Sequence, residues 1–238
     1  MSRLEILKVR VEGLTASFRL PLAYSGVQTS LPVPTYSNIL GFLSCCAGRN
    51  ITPNETKIGF NFRAETKSID LERFIRWDYN ADNPGNPKIN TKGPGIRYRE
   101  YLINPKLTLY LTNLELEECM KFPKGIITLG RSQDVACISE IKKVSVKPVK
   151  EGKIQGTLIP LEKQKEQLIQ GMYVRLPEFL TYDEKNRKRV KANTKMFIAT
   201  DSINERGTIV GGEGLLYKEE NSNGSIADDF AFYLHDWI

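Results

Sequence analysis

Apolar and polar residues alternate along the first part of the chain. Leu7, Val9 and Val11 are separated by charged residues, and this period of two predicts a strand with one buried face over residues 3–12. The same alternation recurs at three later places, residues 58–65, 107–111 and 143–147. We therefore expect four strands, each with one face turned towards a core.

Helical spacing occurs in two segments between these strands. Residues 39–47 place apolar side chains three and four positions apart, which predicts a helix that Thr35 or Ser37 caps at its start. A short acidic helix is predicted over residues 114–122. The order β, α, β, β, α, β predicts an α+β fold, a ferredoxin-like, RNA-recognition-motif (RRM) type βαββαβ domain over residues 1–150. Residues 151–238 are expected to form a small β-rich C-terminal region.

A segment rich in glycine and proline separates the second and third predicted strands. Residues 80–95 have no core character, and we expect a long β2–β3 hairpin, a thumb, at about residues 79–101. Its candidate RNA-binding residues are Lys88, Lys92, Arg97, Tyr98 and Arg99. Cations neutralise phosphates and aromatic rings stack on unpaired bases, so nucleic-acid contact is favoured over a merely solvated loop.

A polar stretch interrupts two apolar runs at residues 130–134. It reads either as a connecting loop or as a small pocket that grips an anion. In the second interpretation Gly130 lets the backbone approach a ligand closely. Arg131 then offers a planar fork, and Ser132 and Gln133 add directional hydrogen bonds.

Composition narrows the function classes. The net charge of +6 is compatible with a polyanionic partner. Because Met1 leads directly into charged alternation, we expect no signal peptide. No apolar run is long enough to cross a membrane. We expect a cytoplasmic protein with reduced cysteines, no membrane contact, no metal and no cofactor.

Histidine-based catalysis has little support in the sequence. The chain has one histidine, His235, which we expect at the surface of a mobile tail. No phosphate-binding loop or nucleophile elbow occurs, and the glycine-rich residues 210–217 are interpreted as a tight turn. A second basic cluster at residues 185–195 is interpreted equally well as a solvated hairpin or as a contact to a phosphate backbone. We predict no catalytic residue.

Three stretches together resemble a known family. FRLPLAYSGVQTSLPVPTYSNILGFLSCCAG, YREYLINPKLTLYL and LGRSQDVA are similar, in this order, to the CRISPR-associated Cas-five family, and most to its type I-B branch. The similarity covers about residues 4–150 of the chain.

The resemblance implies a subunit of Cascade, the RNA-guided surveillance complex of type I systems. Such a subunit caps the 5′ handle of the CRISPR RNA (crRNA), contacts the backbone subunit and the large subunit, and meets target DNA indirectly. The type I-C branch instead cleaves precursor RNA with a tyrosine, a lysine and a histidine. Because His235 lies outside the similar region, we expect a non-catalytic binder, the alternative being a metal-independent endoribonuclease that processes pre-crRNA.

The expected site follows from the thumb, the polar stretch and the family motifs. Gly41 is expected to allow close packing of the first helix on the sheet, and Gly130 to serve the pocket. The expected RNA-binding residues are Arg19, Gln28, Thr29, Tyr36, Ser37, Asn38, Lys88, Lys92, Arg97, Tyr98, Arg99, Arg131, Ser132 and Gln133.

Overall fold

The computed structural model describes most of the chain. The described residues are 3–20, 27–75, 77–78, 88–89, 94–163, 169–183, 185, 188–191, 193–203, 207–220 and 230–237.

Strands make up most of the described secondary structure. In chain order they are β1 (Leu4–Gly13), β2 (Thr15–Ala16), β3 (Phe18–Arg19), β4 (Val27–Gln28), β5 (Ser30–Leu31), β6 (Ile58–Arg63), β7 (Thr66–Phe74), β8 (Trp77–Asp78), β9 (Lys88–Ile89), β10 (Gly95–Ile103), β11 (Lys106–Leu111), β12 (Ala136–Ile154), β13 (Leu158–Pro160), β14 (Met172–Pro177), β15 (Leu180–Asp183), β16 (Lys188–Lys191), β17 (Thr194–Ala199), β18 (Thr208–Glu219) and β19 (Phe232–His235). The α-helices are α1 (Tyr36–Ala47) and α2 (Glu117–Lys121), and short 3₁₀ helices cover Pro53–Glu55, Leu114–Leu116 and Leu161–Lys163.

Six strands close into an antiparallel barrel in the order β1, β11, β6, β19, β18, β12. β1 lies between β11 and β12, with Val9 opposite Leu109 on one side and opposite Ile141 on the other. The barrel closes because β19 pairs with β6 through Leu234 and Gly59. All three of these pairings are antiparallel.

The two faces of the barrel strands have different surroundings. The face that carries Val9, Leu109 and Phe60 belongs to the main core, which also contains Ile39 and Leu43 of α1. A helix cannot fit inside a six-stranded barrel, so this face is the outer one. The inner face holds a smaller apolar cluster, Ile6, Tyr110, Val144, Val146, Phe232 and Leu234.

The predicted fold class is wrong. The predicted strands and both predicted helices are present, but the sheet does not stay open as a ferredoxin-like or RRM-type fold requires, and the described structure is mostly β. The reason is that β18 and β19 pair with β12 and β6 and close the sheet. In the closed barrel one face of the sheet is enclosed in the interior, so it cannot act as an RRM-type sheet surface.

The predicted division at residue 150 falls inside β12 (Ala136–Ile154). Strands from both sides of this position form the barrel. The division into a domain of residues 1–150 and a C-terminal region of residues 151–238 stays a prediction.

Helix α1 begins and ends with strong local signals. Thr35 accepts a hydrogen bond from the backbone N–H of Asn38, whose side chain accepts one from the backbone of Thr35, a capping box. Gly48 ends the helix in the left-handed region at φ 67°. Gly41 faces outward, and a Cβ there would meet no atom within 4 Å. The prediction that Gly41 permits close packing is therefore wrong.

No helix in the described ranges is long and apolar enough to cross a membrane. Among the same residues, no three histidine, cysteine, aspartate or glutamate side chains are grouped so that they could hold a metal ion.

Candidate functional site

A long hairpin, made of β7 and β10, forms the base of the predicted thumb. β7 and β10 pair antiparallel over their full length, from Thr66 opposite Ile103 to Phe74 opposite Gly95. β4 joins as a parallel neighbour that places Val27 beside Tyr98, and β2 pairs at the hairpin base. The chain thus presents a small twisted sheet beside the barrel, which we call the hairpin sheet.

One face of the hairpin sheet carries a cluster of exposed apolar side chains. Tyr98 lies between Leu71 and Val27 in a row across three strands, and these side chains are 53%, 58% and 47% exposed. Ile69 and Ile96 extend the patch and are also exposed. We call these five residues the apolar face. A contiguous exposed apolar patch with an aromatic ring at its centre is suited to a contact with a partner molecule.

The opposite face of the hairpin sheet is charged and internally paired. The Arg99 guanidinium forms a salt bridge with Glu72. The Arg97 guanidinium lies 5.0 Å from the Phe74 ring centroid and donates a 3.4 Å hydrogen bond to Gln28 Oε1. The two predicted RNA-binding arginines are thus partly committed to their own sheet.

The polar stretch at residues 130–134 is a turn built around Asp134. This carboxylate is fully buried and accepts hydrogen bonds from Arg131 Nε at 3.0 Å and Nη2 at 2.9 Å. It also accepts from the Arg131 backbone N–H at 3.0 Å and from the Thr15 hydroxyl at 2.6 Å. Asp70 of the hairpin lies 3.5 Å from Arg131, and the Asp134 hydrogen bond and charge raise the pKa of Arg131. The anion that Arg131 grips in this structure is a carboxylate of the same chain.

Gly130 is required by the chain rather than by a ligand. Its φ is +122°, and a Cβ there would lie 2.0 Å from the carbonyl oxygen of Ser17. Ser17 in turn donates its backbone N–H to Leu129. The predicted close approach at Gly130 is present, but its partner is the Ser17 backbone.

A cavity of about 270 Å³ joins the start of α1 to the segment before the turn. Ser37, Asn38, Gly41 and Gly130 line it, together with Thr128. The structure therefore brings together four residues that the sequence analysis selected from two separate stretches.

The remaining predicted residues are divided between the surface and the core. Arg19, Ser132 and Gln133 are exposed, and Thr29 is partly exposed. Tyr36 is 1% exposed and donates a 2.7 Å hydrogen bond to the Leu158 carbonyl, so no face of its ring is open to a base. Gln28 is also buried.

The thumb tip lies largely beyond what the structure describes. Lys88 is in β9, which pairs with β8, but its side chain is outside the described atoms. Lys92 lies outside the described residues, as do parts of the basic stretch 185–195.

His235 is not a surface residue, so that prediction is wrong. It is fully buried, its Nε2 lies 2.8 Å from Glu178 Oε1, and its ring stacks on Tyr36 at 4.1 Å. Burial, with the charge of Lys195 adding to it, lowers the pKa of His235 from 6.5 to about 3. A neutral imidazole sealed in this way has no path to a substrate.

Sequence reasoning missed three acidic residues of this region, Asp70, Glu72 and Asp134. Asp134 stands three positions after Arg131, a spacing at which opposite charges meet in a tight turn. Asp70 and Glu72 alternate with Ile69 and Leu71, a period that indicates a strand.

A family model and several solved structures match the chain. The family model described as CRISPR-associated protein (Cas_Cas5) matches residues 6–200 of the chain. A solved chain titled "CRISPR RNA-guided surveillance complex" is 16% identical, covers 87% of this chain and 90% of its own length, and has a TM-score of 0.54.

Two further solved chains are more distant. "Crystal structure of a CRISPR protein from Archaeoglobus fulgidus" is 14% identical, with coverages of 98% and 100% and a TM-score of 0.48. A chain of "Cryo-EM structure of the Type III-B Cmr-beta bound to cognate target RNA" is 15% identical, with coverages of 82% and 85% and a TM-score of 0.45. No curated protein sequence matches the chain significantly.

Proposed function

Because the chain belongs to the CRISPR-associated protein (Cas_Cas5) family, we propose that it is a non-catalytic subunit of a type I CRISPR effector complex. In this role it binds and caps the 5′ handle of crRNA and bridges the backbone and large subunits. Its assignment to the type I-B branch stays a prediction. The similarity in fold to a chain from a CRISPR RNA-guided surveillance complex supports the role in an assembly.

The observation that carries the proposal is the asymmetry of the hairpin sheet. Its apolar face offers Tyr98 for stacking and aliphatic side chains for a protein partner. Its other face is occupied by ion pairs that hold the sheet in place. A rigid sheet with one exposed aromatic face is suited to press on a splayed, single-stranded RNA end and to lean on a neighbouring subunit.

The phosphate contacts are proposed for residues that are accessible. Ser37 and Asn38 line the cavity at the start of α1, where backbone N–H groups and the helix dipole favour an anion. Arg19, Ser132 and Gln133 lie at the surface. Arg131 acts indirectly in this proposal, because its guanidinium holds the turn that presents Ser132 and Gln133.

The burial of His235 supports binding without cleavage. A histidine general base must reach the proton that it removes, and the chain's only histidine is 0% exposed. Metal-independent endoribonuclease activity therefore has no accessible histidine on which to rely.

The test is RNA retention in the assembled particle, followed by a cleavage assay. Protein co-expressed with its complex partners is purified, and short RNA is extracted and sequenced. We expect a guide RNA with an intact 5′ handle, and we expect purified protein to leave repeat RNA uncut. A particle without RNA would refute the proposed role, and specific cuts at the repeat would favour the endoribonuclease.

The hairpin is tested with a matched pair of tyrosines. Tyr98→Ala should weaken handle RNA binding by about 1–3 kcal/mol, the range for one lost base stack. Tyr173→Ala is the control, because Tyr173 is similarly exposed at 46% but belongs to β14 in another sheet. Equal effects of the two substitutions would contradict the assignment of the apolar face.

A further inference from the structure

Two adjoining cavities lie at one end of the barrel, next to the base of the hairpin. The smaller has a volume of about 220 Å³ and the larger about 500 Å³. Both are lined by Glu12, Arg63, Lys106 and Gln155. Together they form a cleft within the size range of small-ligand sites, roughly 300–1,000 Å³.

The register of the barrel strands brings cationic side chains together in this cleft. Lys106 of β11 lies directly opposite Arg63 of β6 and opposite Glu12 of β1. In the next row along the barrel, Thr108 lies between Arg10 and Asn61. Like charges directly opposite each other destabilise a sheet, so the Lys106–Arg63 pair has a cost that a bound anion would relieve.

The cations that line the cleft differ in their ion pairing. Within the part of the chain that the structure describes, neither Arg63 nor Lys106 forms a salt bridge, although Arg10 pairs with Glu140 at 3.1 Å. Glu12 and Glu65 are the carboxylates that line the cleft, and Glu65 accepts a 2.6 Å hydrogen bond from Asn104. Both Arg63 and Lys106 are exposed and can reach a ligand.

The cleft also contains an aromatic wall. The Arg63 guanidinium lies 4.3 Å from the Phe230 ring centroid, and the Lys153 ammonium lies 4.7 Å from the same centroid. The stack holds the flat guanidinium in a defined orientation, which suits it to a planar or bidentate partner.

Polar groups deeper in the cleft lack partners. The side-chain oxygen of Asn61 and the hydroxyl of Ser202 are buried and make no hydrogen bond within the described ranges. Asn61 lines the smaller cavity and Ser202, which is 0% exposed, lines the larger. Buried groups of this kind are normally satisfied, and the Asn61 oxygen, as an acceptor, needs a hydrogen-bond donor such as a ribose hydroxyl or a base amino group.

We propose that this cleft binds a nucleoside phosphate, with the phosphate at Arg63 and Lys106 and with ribose or base donors turned towards Asn61 and Ser202. The inference does not depend on the proposed function, because it rests on the barrel end rather than on the hairpin sheet. The same chemistry is offered by a free mononucleotide and by one residue of an RNA chain.

The test is isothermal titration calorimetry of the purified full chain at low salt. The probes are the four ribonucleoside 5′-monophosphates, inorganic phosphate and a 5′-phosphorylated trinucleotide. We expect a mononucleotide to bind more tightly than inorganic phosphate, and Arg63→Gln and Lys106→Gln each to weaken it at least tenfold. A trinucleotide that binds more tightly, with the same dependence on both variants, identifies RNA as the source.

A control tests whether the effect belongs to the cleft. Arg49→Gln removes the same charge from an exposed position outside the cleft and should leave mononucleotide affinity within twofold of the unmodified chain. Three results would overturn the proposal: no mononucleotide heat up to millimolar concentration, affinity equal to that of inorganic phosphate, or affinity that Arg63→Gln and Lys106→Gln leave unchanged.

Discussion

The ion pair between Arg131 and Asp134 gives the sharpest prediction about how the polar turn is built. Asp134→Ala removes a carboxylate that is 0% exposed and leaves the Arg131 guanidinium, whose side chain is 9% exposed, without its main partner. Breaking a buried pair by removing one member costs about 3–5 kcal/mol. Asp70 remains near Arg131 but is 45% exposed, so we expect a loss of about 3 kcal/mol in the free energy of unfolding, at the lower end of this range.

The assay is urea unfolding followed by circular dichroism on Asp134→Ala, Arg131→Ala and the double variant. Because each single change leaves a buried charge behind, the double variant should lose clearly less than the sum of the two, with a coupling of at least about 1.5 kcal/mol. Arg10→Ala is the control, since its pair with Glu140 is exposed, at 44% and 31%, and should cost less than about 1 kcal/mol. A loss below about 1 kcal/mol for Asp134→Ala with no coupling would refute the reasoning and leave Arg131 free for a ligand.

Further substitutions test separate parts of the fold. Gly130→Ala should lower the free energy of unfolding by at least about 2 kcal/mol, because the new Cβ collides with the Ser17 carbonyl at a positive φ. Gly41→Ala lies in open space on α1 and should raise the free energy of unfolding by about 0.5–1 kcal/mol. Chemical denaturation of both variants measures these two changes. Thr35→Ala removes the α1 cap and should lower the free energy of unfolding by about 1 kcal/mol in the same assay. Thr29→Ala is the control and should lower it by clearly less. The pKa of His235 is lowered to about 3 in the folded state, so the unfolded chain binds more protons below its usual pKa near 6.5 and stability falls as pH falls. Between pH 7.5 and 4.5 the original chain should lose about 2–3 kcal/mol more than His235→Gln does, and parallel pH profiles would contradict the buried neutral imidazole.

Strong local periodicity explains which elements could be predicted. β1 has an unbroken alternation, and α1 combines helical spacing with Thr35 at its start and Gly48 at its end. Such signals depend only on residues close in sequence. They are therefore the same in any fold that buries one face of the element. β7 was not predicted, although Ile69 and Leu71 alternate with charged residues, and the structure shows that these apolar residues face outward.

Closure of the barrel depends on distant residues and therefore escaped prediction. β18 covers the glycine-rich stretch that was interpreted as a tight turn, yet it runs to Glu219 and pairs with β12. The pairing of Leu234 with Gly59 joins strands that are far apart in sequence, and the register of such a pair is set by tertiary packing.

The exposure of a predicted site residue depends on its tertiary surroundings. Tyr98 was expected to be exposed and is, whereas the equally aromatic Tyr36 is sealed beneath His235. Almost the whole length of the chain separates Tyr36 from His235 in sequence. Their stacking therefore leaves no pattern in the local sequence around either residue.

The central claim is that the apolar face of the hairpin sheet and the start of α1 hold a single-stranded RNA end. Ultraviolet cross-linking of guide RNA in the purified complex, with mass-spectrometric mapping of the linked residues, tests it most directly. The account predicts cross-links from the 5′ handle at Tyr98 and within residues 27–38 or 130–133. Cross-links from the handle that fall only on other subunits, with none on these segments, would contradict it.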